Sequence, residues 1–413
     1  MKVLINNSIW SILEMATNAI LSFGLSVFIG RFYGIEDLGV YSFVASTSAI
    51  VVAMSNFGVT PYYIKCIAQS SSARHHINEL INIRLLISTP LYAIMTVVII
   101  LSMIKDSLKF DHISLLVLFG LVNINMLLAS VFNSQQRNGE SFVCSLMYKL
   151  GAFLVMLLVI LHDALGFSQF IILLCLIAIT QTYFVLRYKM VGIDLKSSRR
   201  RLLARIITIR KTFAIGLAGI FEAITNRIDI LIIGYFISES SMGAYSAAYS
   251  YFMIYILFSL ALTKVFFARF SFYCRTNIKL AIRFLKIYAT LSFFYALFAS
   301  VILYASAEIF IKYVYGEEFT SSTELVRGLS FCVMPMIMGR LFGHVMNAVG
   351  SFNYAIYTAA LGAIVSVFCN LALIGEYQIW APVYATFAAE MIVLLVLLFL
   401  VFKVKIFRRN ICT

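Results

Sequence analysis

Met391-Ile-Val-Leu-Leu-Val-Leu-Leu-Phe-Leu-Val-Phe402 decides the fold class. A strand of a membrane barrel alternates apolar and polar residues, whereas this stretch is apolar on every face and satisfies its backbone in hydrocarbon only as a helix. Working outward from it, runs of similar character recur along the chain. Hydrophobic residues make up 62% of the 413 positions and charged residues 12%, about half the charge of a soluble domain. No water-exposed surface can be built from that composition. Spanning hydrocarbon takes about 20 apolar residues per helix, so the sequence predicts an all-α integral membrane protein.

Twelve spans are expected. Those in the first half are Ser8–Gly30, Leu38–Thr60, Leu85–Ile104, Ile113–Phe132, Phe142–Leu161 and Phe167–Leu186. Those in the second are Phe213–Ile237, Ala244–Phe267, Ile287–Ala305, Leu329–Val349, Ala355–Leu373 and Ile379–Phe402. This gives an N-terminal lobe over residues 1–190, a basic linker over 191–211 and a C-terminal lobe over 212–413. The N-terminal run is expected to remain as the first span, because Glu14 interrupts it and no small-residue cleavage site follows.

The formal charge of +14 would suggest nucleic acid in a soluble protein. Here the basic residues segregate into alternate loops, which is the positive-inside pattern. Lys2, Lys65, Arg74, Arg84, Arg137, the run from Arg187 to Lys211, Arg269 to Lys286 and Lys403 to Arg409 fall on one side. That side is expected to be cytoplasmic and to hold both termini. The central basic stretch serves this orientation or attracts acidic lipid headgroups; nucleic acid is not an expected partner. The seven cysteines show no ligand spacing, so neither structural metal nor disulfides are expected.

A pattern repeats about half a chain apart. Glu14, Thr17, Asn18 and Ile20 correspond to Glu222, Thr225, Asn226 and Ile228, and each set is followed at the next span by Gly-x-Tyr-Ser, Gly39 to Ser42 and Gly243 to Ser246. Two matches in the same order indicate duplication. Halves with even numbers of spans share orientation and relate by an axis along the membrane normal.

Ionisable residues at bilayer depth cost about 2.5–3.5 kcal/mol each on insertion scales, so they face a partner or a hydrated cavity. Glu222, Asn226 and Asp229 are spaced i, i+4, i+7 and share one helix face; Glu14 and Asn18 form the matching pair. These five line a cavity or form an interhelical hydrogen-bond seam. Arg227 points away from the stripe. Arg340 and His344, i and i+4, follow Pro335, which is expected to kink the tenth span. Arg340 either pairs with a carboxylate such as Glu222 or Glu390 or contacts an anionic substrate. Lys149 either snorkels to the headgroups or faces substrate. There is no nucleotide-binding loop, catalytic zinc motif or nucleophile elbow, and the loops are too short for a catalytic domain. An enzyme is not expected.

Gly30-Arg-Phe-Tyr-Gly-Ile-Glu-Asp-Leu-Gly-Val-Tyr-Ser-Phe43 resembles the opening of bacterial polysaccharide exporters of the Wzx type, within the multidrug/oligosaccharidyl-lipid/polysaccharide superfamily. Gly34, Glu36, Gly39 and Tyr41 carry the match, and Asp229 to Ile233, Met242 to Ala248 and Tyr315 to Phe319 resemble second-half segments of that family. The resemblance implies a MATE-like fold of two six-helix lobes in a bacterial inner membrane. It implies a flippase for an undecaprenyl-pyrophosphate-linked oligosaccharide such as an O-antigen repeat, with polysaccharide polymerase or other assembly proteins as possible partners. On that reading Arg340, Arg227, Lys149 and His344 contact the anionic group. Glu14, Asn18, Glu222, Asn226 and Asp229 are the polar cavity positions, through which a proton or sodium gradient, rather than a bound cofactor, resets the carrier. A multidrug or small-cation antiporter of the same fold is the alternative.

Overall fold

A computed structural model describes residues 2–69, 73–103, 110–135, 137–162, 165–189, 199–348 and 352–403. Residues 191–198 of the expected basic linker lie outside them. Every regular element among the described residues is a helix: α1 (Lys2–Phe32), α2 (Ile35–Asn56), α3 (Val59–Gln69), α4 (Ala73–Met103), α5 (Phe110–Ser134), α6 (Asn138–His162) and α7 (Phe167–Phe184) precede the central stretch. After it come α8 (Arg199–Phe236), α9 (Glu239–Thr276), α10 (Ile278–Val314), α11 (Thr320–Ser330), α12 (Val333–Ala348), α13 (Phe352–Tyr377) and α14 (Ala381–Lys403). Seven stretches among the described residues are long and apolar enough to cross a bilayer, eight if the bent α11–α12 pair counts as one, and the longest of them, Tyr354–Val401, runs through both α13 and α14. Each of the twelve expected spans falls on one of these helices or on a bent or broken pair. The protein is a multi-pass membrane protein.

By contacts the chain divides into two compact units: residues 1–28 with 43–220, and residues 29–42 with 221–413. In the first unit, Val59, Leu80, Ile83, Leu127 and Val131 form a core shared by α3, α4 and α5. The α2–α3 break falls at Phe57 and Gly58, with φ of 37° and 69°. A Cβ on Gly58 would lie 2.9 Å from the Thr212 carbonyl oxygen and from the Gly216 nitrogen of α8. Glycine permits both the left-handed backbone and this approach.

In the second unit, Phe266, Phe270, Leu285, Leu341, Val345 and Leu397 join α9, α10, α12 and α14. The repeated Gly-x-Tyr-Ser segments of α2 and α9 meet here. A Cβ on Gly39 would collide with the backbone carbonyl of Glu239, and one on Gly243 with that of Ile35. Ser42 and Ser246, 204 residues apart, hydrogen-bond through their hydroxyls at 2.5 Å. Each glycine of the repeat therefore seats the helix start of the other copy, a reciprocal contact of small residues that brings two backbones together.

The tenth span bends as expected, in the turn before Pro335 that the proline, lacking an amide hydrogen, cannot close. The 47° turn lies between Ser330 and Val333, upstream of Pro335, which occupies the first turn of α12. Proline is tolerated there because the first-turn amides have no partner within the helix. The Met336 amide closes that turn onto the Cys332 carbonyl at 3.1 Å.

Candidate functional site

Asp229 organises the second unit's polar interior. It sits near the end of α8, 3% exposed, and both carboxylate oxygens are engaged. Oδ1 accepts from Asn370 Nδ2 of α13 at 2.8 Å; Oδ2 accepts from the Tyr245 hydroxyl of α9 at 2.8 Å and from Thr386 Oγ1 of α14 at 3.0 Å. Four helices therefore converge on one carboxylate. A buried carboxylate persists in such surroundings only with donors or a cation beside it.

A small cavity of about 10 Å³, room for a single water molecule or ion, opens beside it, lined by Thr225, Asn226 and Asp229 from α8, Tyr249, Ser366, Thr386 and Glu390. Two oxygens at this place, Ser366 Oγ and Asn370 Oδ1, are buried without a hydrogen-bond partner. Both side chains are essentially inaccessible, at 1% and 0%. Carboxylate, amide and hydroxyl oxygens with unspent lone pairs form a donor set suited to a hard cation. Among the described residues no group of three or more histidine, cysteine and carboxylate side chains is placed to hold a metal ion.

The other cavity candidates separate. Of the α8 stripe, Asn226 and Asp229 line the cavity with Thr225, while Glu222 is exposed and its carbonyl accepts from Asn226 Nδ2 at 2.7 Å. Arg227 and Arg340 are half-buried; with Asp229 and Glu390 they are the charges acting on Tyr249. Arg340 and Glu222 are the charges that face Glu390, but among the described residues no ion pair within 4.0 Å involves Arg340. His344, half-buried, packs its ring 5.6 Å from that of Phe267.

Glu14 and Lys149 belong to the first unit, where α1 meets α6. The Glu14 carboxylate accepts from Ser141 Oγ at 3.1 and 3.2 Å. Lys149 is buried, at 7%, and its ammonium donates to Thr17 Oγ1 at 2.5 Å and to Ser145 Oγ at 3.1 Å. It also lies 5.6 Å from the centre of the Phe142 ring. Asn18 is exposed. Thus Glu14, Thr17 and Lys149 form a polar seam in one unit, and Asn226 and Asp229 form a cavity in the other.

Sequence reasoning overlooked Tyr245, Ser366, Asn370 and Thr386. The signals were present: Ser366 and Asn370 are polar residues i and i+4 in an otherwise apolar span, and Thr386 and Glu390 repeat that spacing on α14. Arg84, counted above among the loop cations, is 5% exposed inside α4.

An all-helical multi-pass bundle with a buried carboxylate and a polar cavity defines an integral membrane protein with a polar interior. The family described as polysaccharide biosynthesis protein matches residues 4–274, and the chain belongs to it, in agreement with the resemblance to polysaccharide exporters. No curated protein matches the sequence. The fold resembles that of several solved membrane proteins. An inward-facing multidrug-resistance MATE transporter superimposes with a TM-score of 0.73 at 13% identity, covering 94% of this chain and 95% of the other. The lipid II flippase MurJ, in an inward closed conformation, gives 0.73 at 14% identity over 98% and 89%. A superfamily transporter from Pyrococcus furiosus, described as having a binding pocket of reverse polarity, gives 0.62 at 11% over 99% and 97%.

Proposed function

We propose that the protein is a flippase that carries an undecaprenyl-pyrophosphate-linked oligosaccharide, such as an O-antigen repeat, across a bacterial cytoplasmic membrane. A sugar-diphosphate headgroup cannot cross hydrocarbon unaided, whereas its lipid tail can remain in the bilayer. The lobes 1–190 and 212–413 act as the two moving bodies, with both termini in the cytoplasm. The cationic side chains Arg340 and Arg227 of the second unit meet the diphosphate, with His344 beside Arg340. A sodium ion or proton taken at Asp229 resets the carrier, since a ligand that binds one state better shifts the equilibrium towards it.

The observation that carries the coupling is the Asp229 cavity, with its unsatisfied Ser366 and Asn370 oxygens. Family membership carries the cargo class. The test is deletion of the gene, followed by analysis of surface glycan and of lipid-linked oligosaccharide at the cytoplasmic face. Loss of the surface polymer with accumulation of its lipid-linked precursor is expected. Unchanged glycan with altered drug sensitivity would overturn the reading.

That outcome would favour a multidrug or small-cation antiporter. One feature supports this second reading: the cavity is lined by two carboxylates, Asp229 and Glu390, a charge suited to a small cation.

A further inference from the structure

Arg84 is the most buried cation among the described residues, at 5% exposure, and it has no acidic partner there. Its Nη2 donates to Asn123 Oδ1 of α5 at 3.2 Å. Its Nε is buried with no hydrogen-bond partner. The other group acting on it is Tyr92, two turns further along α4. The Tyr92 hydroxyl in turn faces Ser48 of α2 and Asn123, and reaches the Phe119 carbonyl at 3.5 Å. Glu79, the nearby buried carboxylate of α4, lies on a different face of the helix and acts on Tyr63 of α3.

A guanidinium buried in a membrane protein without a counter-charge pays an uncompensated desolvation penalty. The surrounding groups do not remove that cost. Asn123 spends its oxygen on Arg84 and its amide faces Tyr92, whose hydroxyl donates to the Phe119 carbonyl; the Ser48 hydroxyl is buried without a hydrogen-bond partner. The cluster keeps two unspent donors, Arg84 Nε and the Ser48 hydroxyl, carries one positive charge and contains no carboxylate.

We infer that Arg84, Tyr92, Ser48 and Asn123 form a seat for a small inorganic anion of the halide class inside the first unit. The anion accepts from Arg84 Nε and the Ser48 hydroxyl, and it neutralises the guanidinium. The near-complete burial of Arg84 favours an ion small enough for four side chains to enclose over a sugar diphosphate. The seat involves neither Asp229 nor the cationic side chains assigned to cargo, so its failure leaves the flippase reading intact, and the reverse.

The test uses the purified full chain in lipid nanodiscs, with Tm followed in sodium bromide, chloride and gluconate at equal sodium concentration. A ligand that binds only the folded state raises Tm in a saturable way. Bromide and chloride are expected to raise Tm by several degrees over gluconate, and Arg84→Gln to abolish the difference. Should Arg84→Gln not fold, Ser48→Ala is expected to require several-fold more bromide for the same rise. Crystals grown in bromide are expected to show anomalous density beside Arg84 Nε. Identical Tm in bromide and gluconate for the wild-type chain, or an unchanged anion response in Arg84→Gln or Ser48→Ala, overturns the proposal. So does displacement of bromide by inorganic pyrophosphate, which would assign the guanidinium to the cargo headgroup instead.

Discussion

Asp229 and Glu222 occupy the same helix face two turns apart, yet they differ in what holds them. Asp229 has three side-chain donors and 3% exposure; Glu222 is exposed. Asp229→Asn should therefore reduce gradient-driven export at least tenfold with the protein still inserted, whereas Glu222→Gln should retain most of it. Accumulation of lipid-linked precursor in a complemented deletion strain measures both, and equal loss in the two variants would contradict the cavity assignment. Asn370→Ala removes the donor to Asp229 Oδ1, and leaving such a group unsatisfied costs about 1–3 kcal/mol. A lowered Tm for Asn370→Ala, larger than for Glu222→Gln, is the expected result in detergent.

At the scale of elements, the contact between α2 and α9 makes the sharpest prediction. Gly39 and Gly243 each face a backbone carbonyl of the other helix, and a backbone cannot yield as a flexible side-chain end can. Gly39→Val and Gly243→Val should each force the helices apart and lower Tm, with loss of folded protein in size-exclusion chromatography. Gly219, with open space around its would-be Cβ, supplies the control: Gly219→Ala should be neutral or mildly stabilising, since alanine is the better helix former. The 2.5 Å separation of Ser42 and Ser246 hydroxyls leads to a second test. In a background lacking the native cysteines, S42C with S246C should form a disulfide on mild oxidation, read as a gel shift reversed by reductant. Failure to cross-link would mean the repeats do not meet in this register. The repeated pattern was legible in the sequence, but its two copies touching was not, because residue spacing along a chain carries no information about which helix lies beside which.

For the whole molecule, basic residues crowd alternate loops, and the proposed orientation follows. A fluorescent protein fused after Thr413 should fluoresce, and alkaline phosphatase at the same place should be inactive; the opposite pair of results would invert the topology. Phosphatase inserted at Gly316, in the turn between α10 and α11, should by contrast be active. The stretches expected from hydropathy fall on helices, yet α4, α8 and α9 fall outside the set that passes on length and apolarity. The first two carry Arg84, the basic start of α8, Glu222 and Asp229, so the segments with the weakest membrane signal are those that hold much of the polar interior.

By itself the sequence determined the helical membrane class and the approximate limits of the helical stretches. Each follows from local composition and from the 3.6-residue period, which act over one or two helices. Only the tertiary structure decided which polar residues meet. It joined Asp229 to Tyr245, Asn370 and Thr386, up to 157 residues away along the chain. It left Glu222 exposed and buried Arg84 beside Asn123 and Tyr92. Those pairings depend on how four helices pack. In a medium where every span is equally apolar, packing is set by small-residue contacts and hydrogen bonds between helices distant in sequence.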